Sequence, residues 1–497
     1  QISMLQGKNS REAADEASGK TQIPLLGATV IGIMAFAGIG LSPDSTGEFL
    51  FSLFAVIGIS LLLSWVLALT VTPMLGHYLF KQGKGDAGDA YGGRVFRMYG
   101  ASLRLALKMR WLVIVGLIAV TAVCYAGFGL MKQQFFPDSN TPLFFVHYKL
   151  PQGTPIATTS AQMELLEDWL EERDDVVSYA TFVGQGATRF MLTYESEKAN
   201  PSYGHIIVRA ENLESIPPLQ KDLEAFGAGA LPEGEFRTKR LVFGPGGGDP
   251  IQVRFLGSDP VVLRQLATQA AQVLTETAEN ITSVRTNWRE QELVVKPIYA
   301  TERAQTAGVD REDIADMFQF STDGLTTGQF RENERLIPII LRRQPDGAFG
   351  LVDQVVYSTT SNSFVPVEQM VDGFVHETQN TLLHRRDRVA TITVGADIRS
   401  GLTAAQVQTE VTAAIEGMDI PVGYKMEWGG ELENSSEAQE SLGRQLPMSL
   451  LIMVLISVLL FNAIRQPIII WLLVPMSVNG VVIGLLGTDM PFTFTAL

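Results

Sequence analysis

Five long apolar stretches without charge limit what this chain can fold into more than any other feature. They are residues 23–41, 49–73, 111–131, 447–464 and 467–487, and no Asp, Glu, Lys or Arg falls in any of them. At 1.5 Å rise per residue, roughly 17–25 residues cross a hydrocarbon core of about 30 Å. Buried helices of a large water-soluble protein would show a polar face, which these runs lack. They are therefore expected to be membrane spans, in two clusters separated by the polar block 132–446. A mean hydrophobic content of 46% conceals this, because the apolar residues are so unevenly placed.

Lys and Arg give the expected orientation. Segment 76–110 carries Lys81, Lys84, Arg94, Arg97, Arg104, Lys108 and Arg110 against Asp86 and Asp89, and it reads as cytoplasmic. Loop 42–48 has neither Lys nor Arg and reads as outward-facing, which puts the block 132–446 outside. Within the connector, "YGGRVFRMYGASLRLALKMRW" interleaves apolar and basic residues at helical spacing. It reads as an amphipathic helix on the inner membrane surface, or as a helical lead-in to the third span.

The outer block alternates strand and helix signals. Residues 143–150 (LFFVHYKL) have the two-residue period of a strand, and a helical period follows from "TPIATTSAQMELLEDWLEER". "VVSYATFVG" and "YGHIIVRA" read as further strands. The order strand–helix–strand–strand recurs at 251–256, 260–278, 282–286 and 291–296, and partly again at 389–395, 403–416 and 424–429. Such repeats are expected to form ferredoxin-like α+β modules, with helices on one face of a small sheet. "GPGGGDP" at 244–250 reads as a linker between the first two, since it lacks the Lys-Ser/Thr of a phosphate-binding loop. Residues 297–388 read as an insert, a common place for an oligomer or partner contact.

Several kinds of chemistry are excluded. A net charge of −15 argues against a nucleic-acid partner. Cys124 is alone, and His77, His147, His205, His376 and His384 are scattered among different elements, so no metal-site spacing is present. No nucleophile motif or dinucleotide fingerprint is present, which leaves no enzyme and no cofactor. The spans hold no Asp, Glu, His or Lys to relay protons; Asn462 and Asn479 read as helix–helix contacts.

Six segments in order resemble the resistance-nodulation-division (RND) efflux permeases, hydrophobe/amphiphile branch, over essentially the whole chain. After the entry "KQQFFPDSNTPLFFVHYKLPQGTP" (132–155) come "FVGQGATRF" (182–190), "ITSVRTNW" (281–288), "ERAQTAGVDREDIADMF" (302–318), "FVPVEQM" (364–370), "EWGGELENSSEAQESL" (427–442) and "VPMSVNGVVIGLL" (474–486). The resemblance implies an α-helical membrane protein with five complete spans here and a large periplasmic α+β block. Residues 132–243 would be one ferredoxin-like porter subdomain. Residues 250–296 with 389–440 would be a second, interrupted by a funnel or docking insert at 297–388. Residues 1–22 would be cytoplasmic, 75–110 a cytoplasmic linker, and 492–497 the start of a further span.

It also implies a proton-driven multidrug exporter of small amphiphilic compounds in the bacterial inner membrane, in contact with membrane lipid. The exporter would be a homotrimer working with a periplasmic adaptor and an outer-membrane channel. Its proton relay would lie on helices before Gln1 and after Leu497, so the chain reads as an internal fragment. The substrate path would run by a glycine-containing switch loop, here Phe182, Gly184, Gln185, Gly186, Arg189 and Phe190, and by a basic residue, Arg285. Phe182 and Phe190 could equally be core residues, and Arg285 could pair with a neighbouring acid. Heavy-metal export is the alternative within the family; Met163, Met191, Met317, Met370, Met418 and Met426 are its scattered soft side chains. A non-transporting, membrane-anchored binding or assembly protein is the alternative outside it, and a protein-translocating or lipid-exporting relative also fits.

Overall fold

The structure, a computed structural model, describes residues 9–79, 93–191, 193–244, 248–343, 350, 353–399 and 401–494. The chain divides into two compact units: residues 151–154 with 288–383, and the remainder. Among the described residues, the larger unit has five helices long and apolar enough to cross a membrane. Helix α1 (Ser10–Gly40) and α2 (Ser45–Leu79) form a hairpin whose turn is fixed by Asp44, which accepts a hydrogen bond from Gly47 N at 2.8 Å. Helix α3 (Arg94–Lys108) ends at Met109, and α4 (Arg110–Phe128) follows at once. Residues 80–92 of the connector, with Lys81, Lys84, Asp86 and Asp89, lie outside the described residues.

Only 6% of the apolar window of α2 is buried among the described residues, so that surface calls for apolar surroundings. Where the spans meet, small residues allow close approach: Gly58 of α2 faces Ile33, and Gly38 of α1 faces Ser449.

The sheet-rich part of the larger unit contains two β-α-β-β-α-β modules. The first comprises β1 (Leu143–Lys149), α5 (Ile156–Glu171), β2 (Val176–Val183), β3 (Tyr203–Ala210), α6 (Ile216–Ala230) and β4 (Glu235–Arg240). Its antiparallel sheet has the order β2-β3-β1-β4. Alternation along β1 turns Phe144, Val146 and Tyr148 toward Leu166, Leu170, Leu219 and Leu223 of the helices. Phe145, His147 and Lys149 are thereby placed on the opposite face.

The second module has β5 (Ile251–Gly257), α7 (Pro260–Thr277), β6 (Ile281–Thr286), β7 (Val389–Ile398), α8 (Ala404–Glu416) and β8 (Lys425–Gly429), in the equivalent order β6-β7-β5-β8. The partial third repeat of the sequence thus supplies the second half of this module. Strand 291–296 does not join it. It lies within Gln291–Tyr299, which pairs with Val371–Asn380 in the smaller unit. The place beside β6 is taken by β7, with Gly395 opposite Arg285. A two-residue period shows that a segment is a strand without showing which sheet receives it.

The smaller unit adds helices Thr301–Thr306 and Arg311–Ser321 and the hairpin Leu325–Glu332/Arg335–Leu341. Its core gathers Ala304, Val309, Ile314, Val356, Val367 and Met370.

β8 runs without a loop into α9 (Gly430–Phe461), whose apolar part is the fourth span. The fifth is α10 (Arg465–Leu473) and α11 (Ser477–Thr488), joined by a 3-10 turn, Val474–Met476, where Pro475 cannot continue the α-helical ladder. Asn479 Nδ2 of α11 donates to Thr121 Oγ1 of α4 at 3.0 Å, a polar contact between spans. Asn462 instead ends α9 in the left-handed conformation. Phe492–Thr493 are not helical: they pair in parallel with Gln133–Gln134, and Phe494 packs on Phe135 and Phe136. The backbone of Phe492 and Phe494 there bonds to the carbonyls of Lys132 and Phe135, which holds the segment extended. Residues 495–497 lie outside the described residues.

Gly430 fixes the joint between β8 and α9. Its φ is +68°, and an added Cβ would lie 2.7 Å from the Pro250 carbonyl oxygen and 2.8 Å from that of Asp249. Gly430→Ala is expected to cost about 1–3 kcal/mol through backbone strain and clash. Thermal unfolding of the purified protein should show a lower midpoint; an unchanged midpoint would mean that the joint relaxes freely.

Candidate functional site

The helix-free face of the first module gathers more chemistry than any other described surface of the sheets. Strand register sets Phe182 of β2, His205 of β3, His147 of β1 and Arg237 of β4 in one transverse row. The His147 and His205 rings stack with centroids 5.0 Å apart. The two histidines come from separate strands and therefore look scattered in the sequence.

His147 Nδ1 lies 2.7 Å from the Tyr203 hydroxyl, and Ala187 N donates to His205 Nδ1 at 3.4 Å. The latter places the proton of a neutral His205 on Nε2, which is buried without a hydrogen-bond partner. Burial, opposed by Glu197, brings His205 down to about 4. Burial, then His205, Arg237, Lys239 and Lys149, hold His147 well below the ordinary imidazole value.

The loop 184–202 covers this face. Gly184, at φ +79°, turns the chain out of β2, and its N–H bonds to the Tyr203 carbonyl at 2.7 Å. Gly186 N donates to the Glu197 carbonyl, and Ser196 Oγ to the Ala187 carbonyl, closing the loop on itself. Tyr194 is buried against Phe145, with centroids 5.3 Å apart, and Phe190 lies 4.9 Å from Tyr194 while remaining 50% exposed. Phe182 is half-buried over His205, and Gln185 and Arg189 are exposed. The loop also borders a cavity of about 930 Å³, with Arg189, Tyr194 and Glu195 on one side and Glu48, Phe49 and Glu433 on the other.

Arg285 stands apart from that aromatic group, in the second module. Its side chain is 11% exposed and is held by Asp249 and Asp397, the latter at 2.8 Å. Arg237 of the first module reaches the same two carboxylates, at 3.0 Å and 2.5 Å. Two arginines and two aspartates thus alternate in a closed square. Burial alone would lower the Arg285 pKa, but Asp249 and Asp397 outweigh it and raise it. Burial alone would raise that of Asp249, yet Arg285 and Arg237 bring it below the usual carboxylate range. Beside the square, Lys239 Nζ donates to the Gly248 carbonyl at 2.6 Å, and burial together with Arg237 pulls it down to about 8.

Of the residues expected from sequence, the structure brings Phe182, Gly184, Gly186 and Phe190 to one face and Arg285 to the square. His147 and His205 read as scattered in the sequence, and Tyr194, Arg237, Asp249 and Asp397 carried no signal of their own there. The alternation of "LFFVHYKL" does place His147 beside Phe145, but nothing local points to its partners. Met163 and Met370 are core residues, and Met191 packs beside Phe145. Among the described residues, no group of three His, Cys, Asp or Glu side chains is arranged to hold a metal ion.

A family model of the AcrB/AcrD/AcrF family matches residues 1–497. The chain belongs to this family of RND transporters. The family is one of RND transporters of the inner membrane, in keeping with the candidate spans among the described residues. It is 22% identical over 436 residues to a cation efflux system protein, CzcA, of an Alcaligenes species, covering 80% of this chain and 39% of that protein. Identity and coverage are the same for a cobalt-zinc-cadmium resistance protein, CzcA, of Cupriavidus metallidurans. A crystal structure of a heavy metal efflux pump superposes with a TM-score of 0.72 at 18% identity, over 95% of this chain and 48% of that one. The chain therefore spans less than half the length of these relatives.

The depressed histidines make stability depend on pH. The unfolded chain takes up a proton near the ordinary value of 6.5, whereas folded His205 does so only near 4. Folded stability should therefore fall as pH drops from 6.5 toward 4, by about 3 kcal/mol for this residue. The melting temperature across that window should decline less in His205→Phe than in the wild type.

Proposed function

We propose that this chain supplies the second half of the export path of an RND permease whose cargo is cationic, heavy-metal ions foremost. The reading rests on the two CzcA relatives, one named for cation efflux and the other for cobalt-zinc-cadmium resistance. The two β-α-β-β-α-β modules act as ferredoxin-like porter subdomains between which cargo passes, and the smaller unit acts as half of the funnel. The working protein is a homotrimer driven by proton flow, with a periplasmic adaptor and an outer-membrane channel, in a Gram-negative envelope. Loop 184–202 is the gate over the first module, where Gly184 and Gly186 permit the turn and Phe190 presents its ring to the path.

A second reading, export of amphiphilic compounds, is favoured by the aromatic group Phe145, Phe182, Phe190 and Tyr194, since apolar and aromatic walls with few polar groups suit such cargo.

Cells lacking their own exporters and expressing the full-length protein separate the two. Raised tolerance to cobalt, zinc and cadmium is the expected result. Tolerance only to uncharged amphiphiles, lost in Phe190→Ala, would replace the first reading with the second.

A further inference from the structure

The square of Arg237, Asp249, Arg285 and Asp397 is built unequally from its surroundings. Arg285 and Asp397 stand on the paired strands β6 and β7, where Gly395 faces Arg285 and Asp397 faces Ser283. Asp249 lies two residues before β5 of the same module. Arg237 comes from the other module, on β4. It and Glu235, whose carboxylate is 3.9 Å from Arg285, are the members that would leave if the modules separated. What would remain is one guanidinium facing two carboxylates, a local charge of −1.

Separated, the two carboxylates would keep only Arg285 between them, and the net negative charge of that remnant attracts another cation. Arg237 is itself held imperfectly, because its Nε is buried without a hydrogen-bond partner. Lys239 crowds the same side, adding a second cation where Arg237 sits. The rims of the two modules are thus of opposite sign, cationic on the first and anionic on the second.

We propose that Asp249 and Asp397 form a binding site for a cationic group of the cargo, and that Arg237 is a tethered cation occupying that site while the modules are together. This rests on the cation-export reading above. Cargo and Arg237 then compete for one pair of carboxylates, and arrival of the cargo is coupled to parting of the modules. Exit follows when Arg237 returns and displaces it. Arg285 stays throughout, neutralising one of the two negative charges and keeping the site weak enough to release its occupant.

Equilibrium dialysis of the purified full-length transporter tests this, with Zn²⁺ and ethidium as separate probes. Removing the competitor in Arg237→Ala should tighten binding of whichever cation the wild type takes up by about tenfold, as expected when a competing closed state is lost. Arg237→Gln should do the same with less change in packing, and Asp397→Asn should weaken binding by at least as much. Binding of Zn²⁺ alone would make the cargo group a metal ion, and binding of ethidium alone an organic cation; either supports the site. If the wild type binds a probe and the variants, melting within a few degrees of it, bind equally well, the site assignment is wrong. If Arg237→Ala does not fold, Arg237→Gln and Asp397→Asn decide. If the wild type binds neither probe, the cation-export reading falls and the site with it.

Discussion

Lipid leaves a backbone no partner but itself, and the rest of this structure follows from that constraint. Five helices satisfy their own N–H and C=O groups and present apolar side chains outward, so nearly everything polar must be built beyond the membrane. The sheet-rich part therefore hangs from a few connectors. One runs from α4 through Gln133–Gln134 to β1. The other is the direct passage from β8 into α9. The two are tied by Glu431, whose Oε1 accepts a hydrogen bond from Phe135 N at 2.8 Å. Displacement of one membrane helix thus bears on both sheets through a short, well-bonded route.

The two modules share a strand order but use it differently. In the first, the helix-free face is filled by loop 184–202 with rings and uncharged histidines. In the second, the comparable strands carry Arg285 and Asp397 into an ion-pair square that Arg237 completes from the first. An apolar, ring-lined surface thus lies beside a strongly charged seam. The two surfaces differ in kind, because ion pairs can be exchanged for other ions while a packed apolar core cannot.

Much of this was legible in the sequence, and what was not has a common cause. The spans could be read because freedom from charge over some twenty residues is a local property. The strands of both modules could be read from alternation, as "LFFVHYKL" shows. The fate of "QELVVK" could not, since the pattern fits equally well beside β6 or beside Val371–Asn380. Likewise "GPGGGDP" read as a passive linker, although its Asp249 is a corner of the square. Arg285 was singled out while the carboxylates that hold it were not, because they lie 36 and 112 residues away in the chain. "PFTFTAL" looked helical from its apolar content, but Phe492–Thr493 found a strand partner 359 residues earlier.

The insertion point of the smaller unit has an architectural consequence. It interrupts the second module between β6 and β7, and these two strands are antiparallel neighbours. The module is thus an ordinary hairpin at that place, with its loop enlarged into an independently cored body. Closing a long loop costs only logarithmically more than closing a short one. A sheet arranged in this way can accept a differently sized or shaped body at the same two strand ends. The inserted body is therefore free to diversify as a cassette while the module that carries it is left intact.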